Sequence, residues 1–164
     1  MKYIHVYLAG PIRGKSYEGA TSWRDDFARC LFEAKNQLVL KQVSFVLMDP
    51  MRSKEHMKGM ACIGNGEFKT DGLFVSQQAI ATRDEADIAL ADIVVFNLLD
   101  DETISIGTCM EMGLAKGLGK IGIVVRTQNS RYDHPLVNGW NAMTLHSLPD
   151  AASFLVSLHA GVLI

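Results

Sequence analysis

The chain has 164 residues, of which 48% are hydrophobic and 21% charged, so it is long and apolar enough to form one globular domain with a real core. Its formal net charge of −2 gives no electrostatic basis for binding a nucleic-acid polymer or an anionic membrane. No apolar run is long enough to span a bilayer or to serve as a signal peptide, and three widely spaced cysteines favour free thiols over disulfides or a zinc site, so we expect a soluble, cytoplasmic protein.

Hydrophobic periodicity predicts short buried strands that alternate with helices. In chain order we expect a strand at 3–9, a helix at 17–36, a strand at 43–48, a helix at 77–90, a strand at 93–98, a helix at 108–118, a strand at 121–125, a short strand at 142–145 and a helix at 149–159. This alternation implies right-handed βαβ units. We therefore expect an α/β fold over residues 1–164, a single domain with a mostly parallel sheet between two layers of helices.

In such a sheet, ligands bind beyond the carboxyl ends of the strands. The segment Gly10 to Gly14 follows the first predicted strand, Asp49 follows the second, and 100–107 and 126–138 follow the next two. Because these segments meet at one edge of the sheet, we expect a single site there.

The hexapeptide AGPIRG, residues 9–14, stands directly after the first strand. Its glycines would let a ligand approach the backbone, and Arg13 can form a forked pair with a phosphate. The pattern is neither GxGxxG nor a P-loop, so dinucleotide or nucleoside triphosphate binding has little support. A plain turn between strand and helix is the alternative interpretation.

One acid, Glu111, stands in the otherwise small and apolar stretch SIGTCMEMGLAKGLGKIGIVV, residues 105–125. Leu114, Ala115 and Leu118 follow it at helical spacing, so the carboxylate shares their apolar face or its edge. One explanation is a capping box, in which Thr108 is the N-cap and Glu111 reaches back to its amide. The other is a functional carboxylate that faces inward.

Further acids lie in RDEADIALAD, residues 83–92. Asp84 lies one helical turn from Ile88, again near the apolar side, whereas Asp87 fits a solvated helix face and Asp92 the end of the helix. Downstream, YDHP (132–135) offers His134 beside an aspartate. There is no HExxH pattern and no GxSxG elbow, so we expect neither a metal site nor a serine hydrolase.

The order of these pieces resembles one family. The chain is similar to the nucleoside 2-deoxyribosyltransferases and to their relatives, the 2'-deoxynucleoside 5'-monophosphate N-glycosidases. The resemblance lies in an ordered series of motifs: YLAGP, then RD with AD eight residues on, then SxGTxxExGxA, then GK and a strand. The match is ordered across about residues 3–126. The resemblance implies a flavodoxin-like sheet with strand order 2-1-3-4-5, no metal or organic cofactor, and a homodimer or larger homo-oligomer.

The resemblance also implies roles at matching positions. Glu111 matches the nucleophile that captures the 2-deoxyribosyl group, and Tyr7 matches the tyrosine that orients this carboxylate. Asp84 matches the acid that handles the proton of the nucleobase. His134 falls where family members place a polar residue that reaches the site of the neighbouring subunit.

Substrate contacts are expected from the segments after the strands, namely Gly10, Ile12, Arg13, Gly14, Asp49, Ser105 and Gly107. Transferases of free nucleosides often carry an acid six residues before the nucleophile. Ser105 stands at that position, as in the monophosphate hydrolases, and a hydroxyl suits an anion better than a carboxylate does. Sequence alone leaves open whether the substrate is phosphorylated.

Three further points complete the expectations. The glycine-rich segment 51–75 has no clear periodicity, and we predict a flap over the base, with Phe68 and Phe74 as stacking candidates. Transfer to a second nucleobase and hydrolysis by water share their first half-reaction, so sequence does not separate them. A non-catalytic nucleotide sensor of the same fold is the alternative function, although such a sensor has no need of a nucleophile.

Overall fold

The computed structural model describes residues 2–37, 42–64, 76–100 and 102–160. Within these ranges, the strands are β1 (Lys2–Ala9), β2 (Val43–Met48), β3 (Ile93–Leu98), β4 (Ile121–Arg126) and β5 (Met143–Leu145). The helices are α1 (Tyr17–Gln37), α2 (Gln77–Leu90), α3 (Ile106–Gly117), α4 (Pro135–Trp140) and α5 (Leu148–Ala160), with one 3-10 turn at Glu55–Met57. All nine predicted elements are present. Helix α4 and the 3-10 turn were not predicted.

All the strand pairs are parallel, and the order β2-β1-β3-β4-β5 is the one that the resemblance implied. The central strand β3 is buried along its whole length, as expected of a strand covered on both faces. The prediction of an α/β fold with this strand order is confirmed, and the sheet is wholly rather than mostly parallel.

Helices cover both faces of the sheet. On one face, α1 and α5 contribute Phe27, Leu31 and Leu155 to a core that includes Ile4 and Ile123. On the other face, α2, α3 and α4 pack Ile88, Met112 and Val137 against alternate residues of β1, β3 and β4. The alternation along each strand therefore sends Tyr7 of β1 toward α2 and α3, a placement that matters for the site.

The first part of the predicted flap packs against the body of the protein. Met51, Met57 and Ile63 are buried with Ala20 of α1 in a small separate core. Backbone hydrogen bonds join this part to the segment after β1, with Gly14 N–H donating to Ile63 O at 2.8 Å. Residues 65–75, with Phe68 and Phe74, lie outside the described residues.

In the part of the chain that the structure describes, no helix is both long and apolar enough to cross a membrane.

Candidate active site

Helix α3 begins two residues earlier than predicted, and this changes the interpretation of Glu111. Its N-cap is Ser105, whose hydroxyl accepts a hydrogen bond from Thr108 N–H at 3.3 Å. Thr108 lies inside the first turn and donates its own hydroxyl to Ser105 Oγ at 2.9 Å. The capping-box interpretation, with Thr108 as N-cap, is therefore wrong. Glu111 is more than one turn into the helix, beyond the capping position.

The carboxylate of Glu111 has a different partner. Tyr7, fully buried on β1, donates its hydroxyl to Glu111 Oε1 at 2.7 Å. Burial, together with the nearby charges of Glu111 and Asp84, raises the pKa of Tyr7 far above its ordinary value of 10.0, so the phenol keeps its proton and acts as a donor. A strand tyrosine thus fixes one oxygen of the acid, and no described residue donates a hydrogen bond to the other.

Burial also raises the pKa of Glu111 from 4.5 to about 7. The hydrogen bond from Tyr7 and the positive charges of Arg24 and Lys54 oppose that rise, while Asp84 adds to it. A carboxylate in this environment is poorly solvated and still partly ionised near neutral pH. Both properties suit a nucleophile.

Asp84, on α2, is the second acid of the site. Its Oδ1 accepts hydrogen bonds from the Arg83 guanidinium, at 3.3 Å from Nε and 3.1 Å from Nη2. Burial raises the pKa of Asp84, and the contact with Arg83 opposes this rise. Among the described residues, Arg83 alone bonds to this carboxylate, through Oδ1, so Oδ2 can hold or release a proton.

A cavity of about 330 Å³ brings most of the predicted residues together. Those that line it are Gly10, Ile12, Arg13, Asp84, Ser105, Gly107 and Glu111. The cavity lies beyond the carboxyl ends of β1 and β3, at the edge of the sheet where ligands were expected. Its volume is suited to a small organic ligand.

Gly14 and Asp49 do not line this cavity. Gly14 has a φ of 81°, a conformation that favours glycine, and serves the turn that pairs with Ile63. The Asp49 carboxylate lies 3.0 Å from Nε of the buried Arg24 and accepts Met51 N–H at 2.7 Å. Asp49 is thus engaged in an internal ion pair.

His134 lies apart from Glu111 within one chain. It is the N-cap of α4, where its Nδ1 accepts Leu136 N–H at 3.2 Å. It lines a second, mainly apolar cavity of about 280 Å³ with Tyr132 and Trp140.

A comparison with known protein families matches residues 6–152 to the family described as nucleoside 2-deoxyribosyltransferase. The chain belongs to that family. Membership supports a glycosyl-transferring enzyme that acts on small nucleosides or nucleotides.

Two solved structures to which the chain is similar are distant from it in sequence. A 2-deoxyribosyltransferase from Leishmania mexicana has 16% identity and a TM-score of 0.55, with 95% of this chain and 99% of that chain covered, and it shows the same fold. The Clostridium botulinum CMP N-glycosidase BcmB has 14% identity and a TM-score of 0.48, with 94% and 98% covered. A search of curated protein sequences found no match.

In this nucleoside 2-deoxyribosyltransferase family member, two charged residues near the site have positions that the sequence did not predict. Asp87, predicted on a solvated face, is buried and pairs with Arg52 at 2.5 Å, because the turn after β2 folds over α2. Lys54, which was not predicted, lines the cavity and is only 5% exposed. No signal marks Lys54 in the sequence, since it stands in a segment without periodicity.

Proposed function

We propose that the protein cleaves the N-glycosidic bond of a 2'-deoxynucleoside or its 5'-monophosphate through a covalent 2-deoxyribosyl intermediate on Glu111. The observation that carries this proposal is the part-buried hydrogen bond between Tyr7 and Glu111, at the wall of a cavity that a second acid, Asp84, also lines. Family membership supports the same class of reaction.

In the first half-reaction, the bond between C1' and the base nitrogen breaks, and its electron pair leaves with the base. Positive charge develops at C1', and the free oxygen of Glu111 stabilises it and then forms the C1'–O bond. Tyr7 holds the other oxygen, so the carboxylate does not rotate away from the sugar. This is the part of the reaction that the geometry supports most directly.

The departing base needs a proton, since a nucleobase anion is a poor leaving group. Asp84 has a raised pKa and lines the same cavity, so it can carry that proton and donate it to a ring nitrogen. In the second half-reaction, Asp84 would take a proton back from the attacking water or nucleobase. Either attack releases Glu111, and the proposal covers both outcomes.

The segments after β1 and β3 support a phosphate at the sugar end of the cavity. Arg13 is exposed and makes no ion pair with the described residues. Ser105 and Gly107 mark the start of α3, where backbone amides and the helix dipole favour an anion. We therefore favour the 5'-monophosphate over the free nucleoside.

An apolar surface beside the site fits a second copy of the chain. Ile104, Ile106 and Met110 are 55%, 73% and 70% exposed on or next to α3, and Leu136 of α4 lines the same cavity as Ile104. Exposed apolar groups that cluster in this way are typical of protein interfaces. A homo-oligomer formed through this surface could bring His134 to the cavity of the neighbouring subunit.

The experiment is a panel of 2'-deoxynucleosides and their 5'-monophosphates, with and without a second base, assayed by chromatography. We expect the wild type to release base and the folded Glu111→Ala variant to release none. Intact-mass spectrometry with a slow substrate should show a 2-deoxyribosyl adduct on the wild type, absent from Glu111→Ala. Glu102→Ala, which removes an exposed acid, is the matched control. Turnover by Glu111→Ala at the wild-type rate would disprove the nucleophile assignment, and substrate binding without any turnover by the wild type would favour the sensor.

A further inference from the structure

Lys54 is a buried lysine that has no partner in the part of the chain that the structure describes. Its side chain makes no hydrogen bond or ion pair with any described residue, yet the residue is only 5% exposed and lines the same cavity as Asp84 and Glu111. Burying an unpaired ammonium group is costly, and burial accordingly lowers its pKa to about 8. A ligand in the cavity would supply the missing acceptor.

The backbone around Lys54 is firmly held. Ser53 before it has a φ of 60°, a strained value for a residue other than glycine. Lys54 N–H donates to Met51 O at 3.2 Å, and Lys54 O accepts Met57 N–H at 2.9 Å. Arg83 of α2 donates to Pro50 O at 2.7 Å and so ties this turn to the helix that carries Asp84. Such strain and bracing fix the position of Lys54 relative to Asp84.

With the phosphate at Arg13 and Ser105, as we propose, the strand order leaves Lys54 for the base end of the cavity. Lys54 follows β2, the edge strand, whereas Ser105 follows β3, two strands further along the sheet. Asp84 lines the same cavity as Lys54, and among the acids its charge raises the pKa of Lys54 the most. The phosphate contacts that we propose are on the other side, at Arg13 and Ser105. Lys54 therefore shares the cavity with the proposed proton donor, away from the proposed phosphate contacts.

We propose that Lys54 determines base specificity by donating a hydrogen bond to a carbonyl oxygen of the nucleobase, next to the ring nitrogen that Asp84 protonates. This inference rests on the proposed function. In a 6-oxopurine, O6 and N7 are adjacent acceptors, which match one ammonium donor and one protonated carboxyl. In adenine, an amino group replaces O6 and places a donor against a donor.

The same contact favours cleavage. As the C1'–N bond breaks, its electron pair spreads over the base and increases the negative charge on the carbonyl oxygen. The ammonium of Lys54 stabilises that charge through the hydrogen bond, and its proton stays on the nitrogen, while Asp84 transfers the proton to the ring. Lys54 therefore favours a 6-oxo base both in binding and in the transition state.

The test is calorimetric binding to Glu111→Gln, which blocks turnover. The ligands are 2'-deoxyinosine and 2'-deoxyadenosine, each as the nucleoside and as the 5'-monophosphate. We expect the inosine compounds to bind about ten- to a hundredfold more tightly, and adding Lys54→Met to remove that preference. Lys58→Met, an exposed lysine in the same segment, should leave it unchanged. Lys54→Gln keeps a neutral hydrogen-bond donor, so we expect it to show an intermediate preference for the inosine compounds. It replaces Lys54→Met in the test if Lys54→Met does not fold.

Three results would overturn the inference. The first is that Lys54→Met keeps the preference for inosine over adenosine compounds. The second is that Lys54→Met weakens binding of the monophosphates but not of the nucleosides, whichever base they carry. The third is that Glu111→Gln binds the inosine and adenosine compounds equally, or binds neither. Failure of the proposed function gives a different result. The wild type would then release no base, while the binding preference that depends on Lys54 would persist. If the wild type releases base and Lys54→Met loses the preference for the inosine compounds, both the proposed function and this inference are supported.

Discussion

The hydrogen bond between Tyr7 and Glu111 has a measurable consequence for the ionisation of the acid. The Tyr7 hydroxyl donates to Glu111 Oε1 at 2.7 Å, and this bond favours the carboxylate over the neutral acid. With the bond in place, burial holds the pKa of Glu111 at about 7. Tyr7→Phe removes the donor while keeping the ring that packs in the core, so the pKa of Glu111 should rise further.

The size of that rise follows from the strength of the bond. A hydrogen bond to a charged group contributes about 1.5–3 kcal/mol. One pKa unit corresponds to about 1.36 kcal/mol, so the pKa of Glu111 should increase by about one to two units in Tyr7→Phe. At neutral pH, Glu111 would then be mainly protonated and unable to attack C1'. Base release at that pH should fall about five- to fiftyfold.

The assay is an NMR titration of carbon-13-labelled glutamate carboxyls, in which the Glu111 signal is identified by its absence from Glu111→Gln. It measures ionisation directly and does not depend on any reaction. Tyr3→Phe, which removes an exposed tyrosine from the same strand, is the matched control and should leave the titration of Glu111 unchanged. A midpoint that is unchanged or lower in Tyr7→Phe would refute the reasoning, since it would mean that the bond does not stabilise the carboxylate.

Three other predictions follow from the same site. Asp84→Asn should lower kcat for the release of natural bases by about 10²–10⁴-fold and should lower kcat for activated leaving groups much less. An equal fall in kcat for both kinds of substrate would indicate a structural role. Arg13→Ala should raise KM for a 5'-monophosphate about ten- to a hundredfold and leave the free nucleoside nearly unchanged, whereas equal effects on both would refute the phosphate contact. Because folding lowers the pKa of Lys54 from 10.5 to about 8, the folded state disfavours its ammonium, and this cost is full below pH 8 and disappears as the pH rises toward 10.5. The free energy of unfolding, measured with urea, should therefore rise over that range in the wild type relative to Lys54→Met, and parallel curves would contradict the burial of the charge.

The sequence predicted the sheet and most of the cavity because these depend on local patterns. The run 93–98, which is apolar except for Asn97, is enough to predict a strand covered on both faces, and the residues after each strand then share one edge. The pairing of Tyr7 with Glu111, by contrast, joins residues 104 positions apart. Only the family resemblance suggested it.

The start of α3 shows where local rules fail. Ser105 and Thr108 are both good N-cap residues, so the sequence allows either. The structure uses Ser105, whose backbone N–H donates to the hydroxyl of Tyr132 at 2.7 Å. That contact comes from a segment 27 residues later, and no periodicity near residue 105 could indicate it. Helix α4, with six residues, is likewise too short to produce a clear helical period.

Asp49 illustrates how a residue at the right edge of the sheet can affect the site without lining it. Its carboxylate pairs with Arg24, whose guanidinium also donates to Leu8 O at 3.3 Å and lies 4.4 Å from the ring centre of Trp23. The positive charge of Arg24 lowers the pKa of Glu111, against burial and Asp84.

The ionisation of Glu111 is thus a balance among groups on five separate parts of the chain: β1, α1, α2, α3 and the segment after β2. Each part contributes one side chain, namely Tyr7, Arg24, Asp84, Glu111 itself and Lys54. A motif around residue 111 can identify the acid, but its pKa depends on how the sheet and helices bring the other four groups within electrostatic range. For this reason a change at any of the four should alter the chemistry at Glu111 without touching the substrate's sugar.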